Sequence, residues 1–154
     1  MTHSEQQLGL QSKATTSLLW FFVIVAFLGF LDATYLTMSH FTGAQLYCGV
    51  EDTCSIVTSS KYATVFGIPV ALGGSLYYLA VLILSLLVLD KRSKKLAKVL
   101  GLITIAGLLA SGWFVFVQLV LLEAICYYCM VSAGTSSILF VLGMVLLSRL
   151  RKEK

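Results

Sequence analysis

Charge is scarce in this sequence, since only 12% of its 154 residues are Asp, Glu, Lys or Arg whereas 58% are hydrophobic. So little charge excludes an ordinary water-soluble domain, in which about a quarter of the residues are charged. The net charge of +4 does not indicate nucleic-acid binding, because the basic residues stand in short clusters between apolar runs. We therefore predict that a lipid bilayer surrounds this chain.

Patterns typical of several other functions are also missing. The sequence contains no internal repeat, no low-complexity tract, no glycine-rich nucleotide-binding pattern and no zinc-protease helix motif. No small-residue cleavage pattern closes the first apolar run, so we interpret that run as a retained helix. The residues left to carry chemistry are four cysteines: Cys48, Cys54, Cys126 and Cys129.

Four apolar runs are long enough to cross a bilayer, which takes about 20 residues. The predicted spans are 17–38, 65–89, 96–122 and 125–147. The single proline, Pro69, lies near the start of the second run, where a missing N–H costs little. Short connections between most of these runs predict an all-α integral membrane protein, a four-helix antiparallel bundle formed by residues 17–148.

The segment 39–64 is too polar to span the membrane and is the predicted long outer loop. Within it, Thr53 to Lys61 could form a short helix at the membrane surface, with Thr53 as its N-cap. Ten of the eleven basic residues fall on one side of a four-span topology. Because Lys and Arg are retained in the cytoplasm, the terminal segments 1–16 and 149–154 are predicted to be cytoplasmic. The cysteines then face the periplasmic or outer side of a plasma (inner) membrane.

All four cysteines are therefore expected at one membrane face, the oxidising one. Cys126 and Cys129 form a C-x-x-C at the start of the fourth helix, which puts both sulfurs on one face of its first turn. The helix dipole lowers the pKa of such a thiol, whereas burial raises it. Cys48 and Cys54, separated by five residues in the loop, suit a mobile shuttle. This arrangement favours thiol–disulfide exchange.

Other interpretations of the cysteines exist. The four could form two inert structural disulfides in a non-enzymatic four-span scaffold or channel. A zinc site is a further alternative, but the five-residue spacer is wider than usual and only His40 lies nearby, so no metal is expected. Asp32, near the outer end of the first helix, could bind the loop, assist proton transfer or have no role. Gly67, Gly73 and Gly74 could allow close helix packing or make room for a ring-shaped ligand.

The cysteines and their neighbours together resemble a known family. Cys48-x5-Cys54-Ser55, Ser60, Phe66-Gly67-Ile68-Pro69 and Cys126-x2-Cys129 are similar to the vitamin K epoxide reductase family, in particular to its bacterial homologues. The resemblance covers the whole helical region, and it implies a helix bundle that surrounds a quinone such as ubiquinone or menaquinone.

The resemblance also implies roles for individual residues. Cys126 and Cys129 match the active-site pair, with Cys129 facing the quinone, and Ser60, Phe66 and Ala133 match positions close to the quinone. Cys48 would form the mixed disulfide with a reduced partner protein, while Cys54 would exchange with Cys126. The protein would thereby reoxidise its partner and support disulfide bond formation.

Two departures from the family pattern matter. Animal members carry Thr-Tyr-Ala after the C-x-x-C, where this chain has Val131-Ser132-Ala133-Gly134, so the tyrosine hydroxyl is missing. This argues against the alternative function of an endomembrane vitamin K epoxide reductase. The chain also lacks the thioredoxin-like domain that many bacterial members carry, so a thioredoxin-fold protein is expected to act in trans.

Overall fold

Four long helices make up nearly all of the computed structural model, which describes residues 13–43, 57, 60–65 and 67–152. Each is long and apolar enough to cross a membrane. The predicted four-helix membrane bundle is confirmed, and the chain is a multi-pass membrane protein. The helices are α1 (Lys13–Thr42), α2 (Val70–Lys91), α3 (Lys94–Phe116), which continues as a π-helix (Val117–Leu121), and α4 (Tyr127–Lys152).

The helices form a closed ring in which each one packs against its neighbours in sequence and α4 returns to α1. Side chains buried at the centre come from all four helices, among them Phe22, Val81, Leu100 and Leu146. The outward faces carry exposed apolar side chains such as Trp20, Leu109 and Val141. An apolar exterior of this kind is stable in lipid, where the hydrocarbon chains replace water as the solvent.

Small residues bring α1 and α2 together. Gly29 lies directly against the ring of Tyr78, and a Cβ atom at this position would collide with that ring. Farther along the same interface, the hydroxyls of Thr34 and Ser75 share a hydrogen bond of 3.0 Å. Close backbone approach at glycine and hydrogen bonds between small polar side chains are the interactions that hold membrane helices together.

A two-stranded hairpin precedes α2. Strands β1 (Thr64–Val65) and β2 (Ile68–Pro69) pair antiparallel, and Gly67 turns between them with φ of 80°, a conformation that favours glycine. Consequently α2 begins at Val70, five residues after the start of the predicted second span. Helices α1 and α4, in contrast, end several residues after the ends of the first and fourth predicted spans. The helical hydrogen-bond ladder need not stop where the apolar run stops. Most of the short helix predicted from Thr53 to Lys61 lies outside the described residues.

The turn between α2 and α3 lies at the opposite end of the bundle, which we call the basic end. Arg92 adopts a left-handed conformation with φ of 48° and ends α2. Its guanidinium donates to the carbonyl of Leu89 at 3.0 Å and to the hydroxyl of Thr16 in α1 at 2.9 Å. The other end, where the hairpin and the C-x-x-C meet, is the cysteine end.

Candidate functional site

Cys126 and Cys129 lie at the N-terminus of α4 with different surroundings. Cys126 is the last residue before the helix and is completely buried, whereas Cys129 in the first turn is half-buried. The backbone N–H of Cys129 lies 3.4 Å from the sulfur of Cys126 and donates a hydrogen bond to it. The two thiols are therefore neighbours that can form a disulfide by a small movement.

The sulfur of Cys126 is stabilised as a thiolate. The thiol of Cys129 donates a hydrogen bond that lowers the pKa of Cys126 from 9.0 to about 7, and the backbone N–H groups of Tyr128 and Cys129 act in the same direction. Burial and the negative charge of Asp32 oppose the shift. Cys126 is thus the better nucleophile and leaving group of the pair at neutral pH. The sequence predicted that one influence would lower the pKa of this cysteine and that burial would raise it. Both influences are present, and the hydrogen bonds outweigh burial.

A distortion at the end of α3 fixes the backbone of Cys126. The helix widens into a π-helix from Val117, and Gln118, which is 3% exposed, directs its side-chain oxygen toward the N–H of Cys126 at 3.0 Å. Glu123 then adopts φ of 49° and reverses the chain. Such π turns often occur at functional sites. Sequence reasoning missed Gln118, although a lone amide in an apolar run could have drawn attention to it.

Cys129 borders a cavity of about 640 Å³ that lies between the four helices and the hairpin. Cys126 does not border it. Small residues of α2 and α3, including Gly73 and Ala110, form the side of the cavity that is exposed toward the lipid. The remaining walls are mostly apolar, with a few polar groups from several elements: His40, Ser60, Tyr77, Gln118, Ser132 and Ser136.

Tyr78 connects α2 to the beginning of α4. Its hydroxyl donates to the carbonyl of Ser132 at 2.6 Å and also lies within hydrogen-bond distance of the hydroxyls of Ser132 and Thr135. These contacts hold the first two turns of α4, which follow Cys126 and include Cys129. Asp32 lies near enough to affect Cys126 electrostatically, and its Oδ2 atom is buried without a hydrogen-bond partner.

The comparison with protein families decides the identity of this bundle. The sequence pattern of the vitamin K epoxide reductase family matches residues 20–144, a stretch that contains the C-x-x-C and most of all four helices. The chain belongs to the vitamin K epoxide reductase family. The resemblance inferred from the cysteines is confirmed.

A curated plant protein is similar to most of this chain. Thiol-disulfide oxidoreductase LTO1 of Arabidopsis thaliana is 35% identical over 123 aligned residues, which cover 73% of this chain and 32% of that protein. The chain thus spans about a third of the length of this relative.

The site residues predicted from the family pattern divide into three groups. Cys129, Ser60 and Ala133 border the cavity, and Cys126 lies beside Cys129. Cys48, Cys54 and Phe66 lie outside the described residues. Among the residues that the structure does describe, no three His, Cys, Asp or Glu side chains come close enough to hold a metal ion.

Proposed function

We propose that this member of the vitamin K epoxide reductase family is a thiol:quinone oxidoreductase that reoxidises a thioredoxin-fold partner. Electrons would pass from the partner to Cys48 and Cys54, then to Cys126 and Cys129, and finally to a quinone. One observation carries the proposal: the two sulfurs of the C-x-x-C are neighbours, but only Cys129 borders the cavity. Each sulfur can then have its own reaction partner.

The cavity suits a quinone in size and lining. Its volume of about 640 Å³ falls within the range of about 300–1,000 Å³ typical of small-molecule sites. None of the described residues lies within 4 Å of the position that a Cβ atom would take at Gly73, which leaves room for a flat ring. The side exposed toward lipid also suits a ligand that dissolves in the membrane. When bound, a quinone accepts two electrons and two protons.

Cys126 is placed to exchange with the outer loop. Val57 packs in the same buried cluster as Cys126, together with Leu36 and Ala124. Cys54 precedes Val57 by three residues, a stretch that reaches about 11 Å at most. The packing of Val57 thereby supports the pairing of Cys54 with Cys126, and the thiolate character of Cys126 supports its role as the sulfur that attacks or leaves.

The proposed reaction balances over three dithiol–disulfide steps. The partner dithiol reduces the Cys48–Cys54 disulfide and is itself oxidised to a disulfide, with Cys48 forming the transient mixed disulfide. Cys54 then attacks the Cys126–Cys129 disulfide at Cys126, which forms a Cys54–Cys126 mixed disulfide and releases the thiol of Cys129. Cys48 attacks Cys54 in turn, which regenerates the loop disulfide and releases the thiol of Cys126. These thiols form a disulfide again as two electrons and two protons leave for the quinone. Gln118 holds Cys126 throughout, because its contact is to the backbone.

The proposed location is the plasma (inner) membrane with the cysteine end facing outward. Arg92, Lys94 and the tail of α4 with Arg149 and Arg151 all lie at the basic end of the bundle. Retention of basic residues in the cytoplasm would place this end inside. The cysteine end then faces the oxidising compartment, where a thioredoxin-fold protein could reach the loop.

Trapping of mixed disulfides in cells tests the proposal. Cys54→Ala is expected to accumulate a disulfide-linked complex between Cys48 and a thioredoxin-fold protein, because the resolving thiol is gone. Cys48→Ala serves as the matched control and should accumulate none. Purified protein should also oxidise a dithiol at the expense of a quinone. Failure of every cysteine variant to form an adduct, with no quinone reduction, would instead support a scaffold with structural disulfides.

The same purified protein distinguishes quinone from quinone epoxide. Ala133 supplies no hydroxyl beside the cavity that could protonate an epoxide oxygen. We therefore expect a quinone to be reduced much faster than its epoxide under identical conditions. Equal turnover of the two substrates would favour the epoxide reductase function instead.

A further inference from the structure

Two adjacent tyrosines of α2 have opposite hydrogen-bonding states. The hydroxyl of Tyr78 contacts three oxygen atoms of α4. The hydroxyl of Tyr77 is buried but has no hydrogen-bond partner among the residues that the structure describes. A buried hydroxyl without a partner costs roughly 1–3 kcal/mol, so such groups are rare in folded proteins.

A second hydroxyl without a partner lies opposite, on α4. Ser136 is 1% exposed, and within the described part of the chain its Oγ atom makes no hydrogen bond. Its two neighbours in sequence behave in the usual way for a helix: Thr135 donates to the carbonyl of Ser132 at 2.9 Å and Ser137 to that of Ala133 at 2.8 Å. Ser136 therefore points away from the backbone acceptor that its neighbours use.

Both oxygens belong to one place in the molecule, because Tyr77 and Ser136 border the cavity that Cys129 also borders. The side chain of Ser136 lies near the Tyr77 hydroxyl, but the two oxygens do not meet the distance and angle requirements of a hydrogen bond. Gly107 of α3 lies directly against the Tyr77 hydroxyl, where any side chain at 107 would collide with it. The position of the Tyr77 oxygen is thus fixed from a third helix.

The spacing along α4 relates this hydroxyl pair to the reactive sulfur. Cys129, Ser132 or Ala133, and Ser136 follow one another at intervals of three or four residues on the cavity face of the helix. Ser136 lies seven residues beyond Cys129, which corresponds to a rise of about 10 Å along the helix. A flat ring with oxygens at opposite ends, contacting sulfur at one end and a hydrogen-bond donor at the other, spans this length.

We propose that the hydroxyls of Tyr77 and Ser136 together bind the carbonyl oxygen of the quinone that is farther from Cys129. The proposal rests on the proposed function and adds the residues that orient the ring. Both groups are donors, and a carbonyl oxygen has two lone pairs, so one oxygen satisfies both hydroxyls. In this position Tyr77 and Ser136 are positioning residues, and the ring is held with its near edge toward Cys129.

Binding of menadione to the purified, detergent-solubilised full chain tests this assignment. We expect Tyr77→Phe and Ser136→Ala each to weaken menadione binding by about threefold to tenfold, since each removes one hydrogen bond. Naphthalene, which has the same rings without the oxygens, should bind the variants as it binds the wild type. Ser137→Ala is the matched control, because its hydroxyl is exposed and bonds within its own helix.

Two further measurements separate an orienting role from a structural one. Neither hydroxyl makes a hydrogen bond to any described residue, so Tyr77→Phe and Ser136→Ala should leave the thermal stability of the unliganded protein unchanged or slightly raised. In the infrared spectrum of bound menadione, the hydrogen-bonded carbonyl stretch should move to higher frequency in both variants. Lower stability of the unliganded variants would assign the hydroxyls a structural role and overturn the proposal.

These measurements distinguish a wrong assignment of Tyr77 and Ser136 from a wrong thiol:quinone function. If wild-type protein neither binds nor reduces menadione or a longer-chain quinone, the thiol:quinone function itself is wrong. If wild type binds menadione and both variants bind it with the same affinity and carbonyl frequencies, the function stands and the assignment of Tyr77 and Ser136 is wrong.

Discussion

Glycine residues have opposite effects at the two ends of the bundle: at one end they allow close packing, and at the other they leave open space. At the basic end, Gly101 lies against Leu147, whose Cγ atom would be 2.6 Å from a Cβ atom at 101, and Gly143 lies against Thr104. At the cysteine end, Gly73 borders the cavity, and no residue in the described part of the chain comes within 4 Å of the same position. One end is closely packed, and the other is hollow.

The difference shows how stability and function are divided in a membrane bundle. Packing without gaps is the main stabilising interaction between helices in lipid, because there is little hydrophobic drive for them to associate. The basic end supplies such packing around Leu100 and Leu146, which are fully buried. The cysteine end is packed less closely because it contains the cavity. Hydrogen bonds from Tyr78 to Ser132 and between Gln118 and Cys126 hold the segment with the C-x-x-C in place.

Removal of Cys129 should have the largest effect of these changes, a loss of quinone reduction at the cysteine end without a loss of stability. We expect Cys129→Ala to lower quinone reduction by about a thousandfold or more, since no sulfur of the C-x-x-C then borders the cavity. Without Cys129 the C-x-x-C cannot form its disulfide, so the loop cysteines should stay reduced when a dithiol is added. Unfolding in detergent should change little by comparison. Substantial quinone reduction by this variant would contradict the assigned role of Cys129.

Filling the cavity should separate quinone binding from thiol exchange. Gly73→Leu places a side chain in open space that borders the cavity, so we expect quinone affinity to fall by about tenfold or more. Exchange between the loop cysteines and Cys126, followed by quenching and mass spectrometry, should continue. Gly112→Leu is the matched control, because its position is also open but lies on an exposed part of α3 away from the cavity. Equal quinone affinity in both variants would place the ligand elsewhere.

Overpacking the basic end should lower the stability of the protein and leave quinone binding unchanged. Gly101→Ala forces Leu147 to move, which we expect to cost about 1–3 kcal/mol of unfolding free energy. Quinone reduction per folded molecule should be unchanged, because the cavity lies at the other end. Gly112→Ala, with open space around it, should not lower the melting temperature. If Gly101→Ala instead impaired quinone binding at unchanged stability, the two ends would not be independent.

The smallest expected effect concerns the pH dependence of Cys126. Its pKa of about 7 predicts that alkylation by iodoacetamide rises through neutral pH and levels off above it. Asp32→Asn removes a negative charge that raises the pKa of Cys126, so the alkylation curve should shift to lower pH. Cys129→Ala removes the principal hydrogen-bond donor and should shift the curve to higher pH. Shifts in the opposite directions, measured by mass spectrometry of the Cys126 peptide, would contradict this account.

Much of the architecture followed from simple sequence patterns. The four apolar runs and the break near Glu123 predicted the helices, because a backbone in lipid must satisfy its own hydrogen bonds. The start of α2 was less well predicted, since residues 65–69 are apolar enough for a span, but Gly67 and Pro69 form the hairpin instead. Hydropathy does not report such local conformational preferences.

The candidate site was only partly accessible from the sequence. Cys126 and Cys129 were evident from their spacing, and Ser60 and Ala133 from the family pattern, while the assigned roles of Cys48, Cys54 and Phe66 stay predictions. Gln118 and the hydroxyls of Tyr77 and Ser136 were not singled out. Their significance depends on what each side chain faces across the bundle, and no local pattern encodes that.

The sequence by itself determined the solvent of this protein, the number of its helices and the family to which it belongs, because these depend on composition, run length and spacing along the chain. Only the tertiary structure decided which glycine is packed and which is open, which cysteine borders the cavity, and which of two adjacent tyrosines lacks a partner. The physical reason is that packing and hydrogen bonding are relations between helices, set by the side chains that meet when the ring closes.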